Sequence, residues 1–144
     1  MRQSVKRSEA AYDPVVDMVE LRIPAAPEWV GVARLAAAGI ASRLQFSVED
    51  IEDLKLAVAE ACNCCIQNPG GDDVRIACEL RPDRISFVVE RSGTGRAAAS
   101  ATAPDDPDLG GLGVFLIQAL MDDAAYTADP ALGTKLTFTK LLGK

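Results

Sequence analysis

From Arg91 to Gly111 the chain almost stops supplying large aliphatic side chains: Leu109 stands alone in a run of Gly, Ala, Ser, Thr, Pro and Asp. Such a stretch cannot bury enough apolar surface to offset the entropy of ordering it. It divides the apolar pattern of a 144-residue chain into two blocks. A chain of this length suits one domain, burying roughly two thirds of its unfolded surface, so both blocks must share a single core. An insert of about twenty residues in so small a domain is either a linker or a working loop such as a lid. The expected organisation is a flexible lead-in over 1–13 and one domain over 14–144, with the lid at 91–111.

The block before the insert opens at Met18. Val19, Leu21 and Ile23 alternate with Glu20 and Arg22, the period of a half-buried strand, which Pro24 stops. Pro27 to Leu44 is alanine-rich and free of internal proline, a helix. Ser47 opens a second helix: Asp50 follows three residues later, Glu49, Asp50, Glu52 and Asp53 suit the positive N-terminus, and Asn68, Pro69, Gly70 and Gly71 end it after Gln67. Val74, Ile76, Cys78, Leu80 and then Ile85, Phe87, Val89 alternate on either side of Arg81 to Arg84, an antiparallel hairpin. After the insert, Leu112 to Met121 reads as a helix, and Leu136 and Phe138 mark a closing strand. The order is β-α-α-β-β-lid-α-β-β. It predicts an α+β two-layer sandwich, a mixed and mostly antiparallel sheet with helices on one face.

Composition narrows the function. Fifteen basic against twenty-one acidic side chains give 15 − 21 = −6, which disfavours a duplex nucleic-acid binder and favours a protein partner. The 49% apolar content contains no run long enough to span a bilayer, and the polar N-terminus lacks a secretory core, so the chain reads as cytoplasmic. The chain contains no histidine, which excludes Ser-His-Asp hydrolysis, histidine metal ligation and a histidine phospho-acceptor. Cys62, Cys64, Cys65 and Cys78 lack paired zinc spacing and read as reduced thiols.

Two places could carry chemistry. On the second helix, Ile51, Leu54, Val58, Ala61, Cys62 and Cys65 share one side, with Glu60, Asn63, Cys64 and Gln67 roughly opposite. Leu56 and Ala57 keep that opposite side from being uniformly wet, so Glu60 is expected to look into a pocket rather than into bulk water. The second place is Gly110, Gly111, Leu112 and Gly113, just before a helix. Glycines let backbone amides approach a phosphate, and a helix N-terminus favours an anion. The ordinary alternative is a turn, as it is for Gly133 and Thr134 before the last strand.

Taken together, the run from Ile51 to Cys62, the stretch Gly110 to Gly113 followed by Leu120, Met121, Asp122 and Asp123, and the terminal Gly133-Thr134 resemble the N box, G2 box and closing strand of anti-sigma factor serine kinases of the RsbW and SpoIIAB type. These belong to the GHKL ATPase superfamily with the Bergerat, histidine-kinase-like fold. The resemblance covers residues 18 to 142. It implies that Glu60 is the catalytic carboxylate activating a substrate serine, that Gly111, Leu112 and Gly113 cradle ATP phosphates, and that Thr134 lines the nucleotide pocket. By spacing, Arg34 falls where the family grips its protein partners. The implied cofactors are ATP and Mg²⁺. The implied partners are a sigma factor and a STAS-domain anti-anti-sigma factor, with a possible homodimer and neither nucleic acid nor membrane.

Three positions depart from the family pattern. Cys64 stands where a magnesium-binding asparagine is usual, leaving the Asn63 amide one position earlier as the available oxygen. Asn68 replaces a usual histidine. The G1 box, normally Asp-x-Gly, reads Glu90-Arg91-Ser92-Gly93, giving Glu90 as the carboxylate for the adenine amino group. Two other functions stay open: a binding module of the same fold without kinase activity, and a stand-alone ATPase.

Overall fold

A computed structural model describes residues 17–95 and 111–143. The lead-in expected over 1–13, Gly110 and most of the expected lid lie outside them. Strand β1 (Asp17–Pro24) leads through a 3-10 turn, Pro27–Trp29, into helix α1 (Val30–Ala41) and then helix α2 (Val48–Gln67). The hairpin strands β2 (Asp73–Arg81) and β3 (Arg84–Ser92) follow, then helix α3 (Gly111–Leu120) and strands β4 (Asp123–Asp129) and β5 (Gly133–Leu141). The sheet order is β1-β2-β3-β5-β4. All four pairings are antiparallel, so the expected mixed sheet has no parallel pair among the described residues.

The α2 helix begins where capping chemistry dictates. The Ser47 hydroxyl accepts from the Asp50 amide at 3.0 Å, and Glu49 and Asp50 sit in the positive first turn. At the other end the Asn68 side-chain amide donates to the Cys64 carbonyl at 2.9 Å, and Pro69 prevents continuation. Between the caps Leu54, Ala57, Val58, Ala61, Cys62 and Cys65 are fully buried. They cover an inner sheet face built from Ile76, Cys78, Ile85, Phe87, Val89, Leu136 and Phe138. Phe87 and Phe138 are register partners on β3 and β5, and their rings stack with centroids 5.4 Å apart. A chain with few aromatics places two at the centre of its sheet.

Helix α1 lies beside α2 and turns Val30, Ala33, Ala37 and Ala41 inward. Its alanines are too small to fill the corner over β1 and β2, and an apolar hollow of about 530 Å³ remains there. The other sheet face carries no helix among the described residues and is polar. There Arg75 bridges Glu20 and Glu90, and the Ser86 and Thr139 hydroxyls meet across the strands at 2.9 Å. No described helix is long and apolar enough to cross a membrane.

The β4–β5 turn needs its glycine: Gly133 has φ +123°, and a Cβ there would collide with the Arg91 carbonyl. Because the Ser47 cap starts the helix that everything else packs on, Ser47→Ala is expected to cost about 1 kcal/mol, readable as a shifted urea midpoint with an unchanged slope.

Candidate functional site

Helix α3 packs on α2, and the contact is made through an absent side chain. A Cβ built on Gly113 would lie 3.0 Å from Glu60 Oε1 and 3.4 Å from Cys64 Sγ. The carboxylate of the middle helix and the glycine of the first turn of α3 thus meet at one spot, as their residue types suggested. Glu60 is half-buried, and among the described residues its carboxylate has no ion pair or hydrogen bond. An acid held in a partly apolar cleft without a cation is positioned to take a proton from an incoming hydroxyl. Gly111 and Leu112 lie exposed at the start of α3, whose free amides and dipole favour an anion beside that acid.

The helix wheel placed Cys64 on a polar face; instead it is 2% exposed, closed in by α3. Burial, and then the Glu60 carboxylate, push its thiol up to about 11. Burial likewise lifts Cys62 and Cys78 to about 12, and Cys65 above the ordinary thiol range. All four are free thiols, as expected. Asn63 is half-buried on α2, but the atoms nearest Gly113 belong to Glu60 and Cys64.

Ile85, Phe87 and Val89 point inward on β3, so Glu90 points to the opposite face of the sheet, where it pairs with Arg75. With Arg75, Arg91 and Thr134 it lines a hollow of about 590 Å³. The inward neighbour is Arg91, and it fastens β3 to the end of α2. Its Nε donates to the Gly71 carbonyl at 2.7 Å, and its Nη1 to the Cys65, Ile66 and Asn68 carbonyls at 3.1, 3.2 and 2.6 Å. The guanidinium thereby satisfies the carbonyls that a helix C-terminus leaves without partners. The alternation of the strand already contained this assignment: counting from Val89 puts Arg91 inside.

Thr134 is the register partner of Arg91 on β5. It is 3% exposed, the single buried polar side chain among the described residues, and its hydroxyl has no hydrogen-bond partner there. A buried hydroxyl without a partner marks a place where a ligand or water belongs. Gly93 is also needed here, for a packing reason: a Cβ would strike the backbone of Ala131 and Gly133. Arg34 is exposed on α1, a different helix from the one that carries Glu60.

The histidine kinase-like ATPase domain family matches residues 23–140. This chain belongs to that family. Its relatives include serine-protein kinase RsbW of Bacillus pumilus, 35% identical over 90% of this chain and 88% of the relative. The RsbW of Bacillus velezensis is 35% identical over 88% and 87%, and that of Bacillus subtilis 36% identical over 74% and 76%. The RsbW-like likeness thus spans most of the chain, and the five-stranded antiparallel sheet under three helices is the histidine kinase-like ATPase architecture.

Two outcomes are expected. Gly113→Ala adds a methyl where the Glu60 carboxylate now rests, while the gain in helix propensity, about 1 kcal/mol, offsets the crowding. Its melting temperature should stay within a few degrees while ATP-dependent activity falls about tenfold or more, the scale of a misplaced group at a reacting centre. For the thiols, the folded state holds their pKa values above the unfolded value. Their contribution to stability is therefore complete below pH 9 and is lost as the pH rises from about 9 toward about 12, where only the unfolded chain ionises. Denaturant titrations at pH 8 and 10.5 should show this loss, and Cys62→Ala should reduce it.

Proposed function

We propose that this protein is an anti-sigma factor that binds a sigma factor and uses Mg-ATP to phosphorylate a serine on a STAS-type anti-anti-sigma protein. The observation that carries the reading is the meeting of the Glu60 carboxylate, unpaired among the described residues, with Gly113 in the first turn of α3. Phosphoryl transfer asks a protein mainly for positioning, charge stabilisation and a proton acceptor beside the nucleophile. The residues fit that demand: the amides of Gly111, Leu112 and Gly113 face the phosphates, Glu60 accepts the proton of the serine hydroxyl, and Thr134 meets the far end of the nucleotide. The printed name of the relatives, serine-protein kinase, supports serine as the acceptor.

Magnesium, when bound, neutralises charge on the phosphate oxygens. Oxygen donors hold this hard ion, and the Asn63 amide and the Glu60 carboxylate are the oxygens available on this face of α2. Cys64 is a protonated, buried thiol and supplies none. Arg34, exposed on α1, offers the partner a cationic group as its grip. Phosphorylation adds nearly two negative charges to the antagonist. Repulsion from a protein of net charge −6 then favours its release and frees the surface for sigma.

A second reading, partner binding without phosphotransfer, rests on Cys64 alone. The deciding experiment incubates the wild type and Glu60→Gln with ATP, Mg²⁺ and the antagonist. Phosphoserine should form with the wild type and fall about a hundredfold or more in the variant, the scale of a lost general base. Equal, background-level phosphate in both would leave the binding module standing.

A further inference from the structure

Helix α3 contains no charged residue and, in ten positions, a single polar side chain, Gln118. A helix that is apolar all round belongs in an interior, yet only one side of α3 faces the core. Ile117 is buried there, with Val114 and Leu120 packed beside it. On the other side Leu112 and Phe115 are 77% and 67% exposed, Ala119 is exposed and Leu116 is half-buried. Positions 112, 115, 116 and 119 are helical neighbours and form one stripe two turns long. An aromatic ring and a leucine left in water beside further apolar groups mark a surface that a protein partner covers.

The stretch leading into α3, residues 96–110, offers one large aliphatic side chain, Leu109, and no aromatic one, too little to match the stripe. Residues 1–16 join the chain at β1, at the opposite edge of the sheet from β4, on which α3 packs. The covering surface therefore comes from another molecule. The stripe begins in the same turn of α3 whose Gly113 meets Glu60. A helix with its side chains is about 10 Å across, whereas a small domain is about 30 Å. A folded protein that brings a serine to Glu60 thus reaches over the outer side of that turn as well. We propose that the stripe of Leu112, Phe115, Leu116 and Ala119 is the docking surface for the protein substrate, and that it takes an uncharged apolar segment near the acceptor serine. This rests on the kinase reading given above. One helix then serves both reactants, the amides of its first turn holding the phosphates and its outer side holding the acceptor. Phe115 sets the affinity for the acceptor and leaves the chemistry unchanged.

The test is steady-state phosphorylation of the anti-anti-sigma protein by the full chain at saturating Mg-ATP, with Phe115→Ser and Ala119→Glu beside the wild type. Both positions face water, so both variants should fold and should bind ADP in a calorimeter with wild-type affinity. The KM for the acceptor should rise about tenfold or more in each, the scale of a lost aromatic anchor or of a charge set in an apolar contact, with kcat within about twofold. An unchanged KM in both variants would overturn the proposal. A parallel loss of ADP affinity would also overturn it, by assigning the stripe to the nucleotide site. Weaker sigma binding, or a dimer that dissociates on sedimentation, with the KM unchanged would overturn it in favour of those occupants. If the wild type forms no phosphoserine, the kinase reading falls, and titration of the acceptor onto ADP-loaded protein decides the docking surface separately. There, tenfold weaker binding by Phe115→Ser supports the surface, equal affinities overturn it, and no binding by the wild type overturns it too.

Discussion

The packing of α2 across β3 and β5 is the constraint that the rest of the molecule obeys. Leu54, Val58, Cys62 and Cys65 fill the space above Phe87, Val89, Leu136 and Phe138 without accessible surface to spare. Close-packed interiors resist change in volume at the level of a methylene, so the rotation of α2 about its own axis is fixed by this contact. Once it is fixed, Glu60 has one direction to face. The cleft is therefore set by apolar contacts on the far side of the helix from the acid.

Two fastenings hold the ends of that helix, and they differ in kind. The N-terminus is closed by local chemistry, a serine and two acids within one turn. The C-terminus is closed from a distance by Arg91, some two dozen residues further along the chain. The second tie links the geometry of the cleft to the sheet, because the strand carrying Arg91 also carries the register with Thr134.

What the sequence reveals of this site follows the range of the forces involved. Strand alternation, the Ser47 cap and the breaker after Gln67 are local, and the structure keeps each near its expected place. The wheel of α2 separated Glu60 from the core side correctly, yet it could not foresee that α3 would cover Cys64, since a wheel treats everything off the main contact as solvent. Motif spacing singled out Glu90, while the alternation of its strand, with its fixed period of two, puts Arg91 rather than Glu90 on the face of Val89. Strand β4 carried little signal: Ala124 and Ala128 beside Tyr126 give a weak apolar alternation that only pairing with β5 makes a strand.

The order of the strands also shapes how the chain reaches this state. Only β2 with β3 and β4 with β5 are neighbours along the sequence, while Ile23 must find Val74 and Ser92 must find Gly133 across long intervening stretches. Closing such loops costs entropy before any contact repays it, which slows folding toward the millisecond-to-second range of sheet-rich domains. The central strands β3 and β5 cannot join until the β4–β5 turn has been synthesised, so a ribosome-bound chain that stops before Gly133 carries all three helices over a sheet that lacks β5.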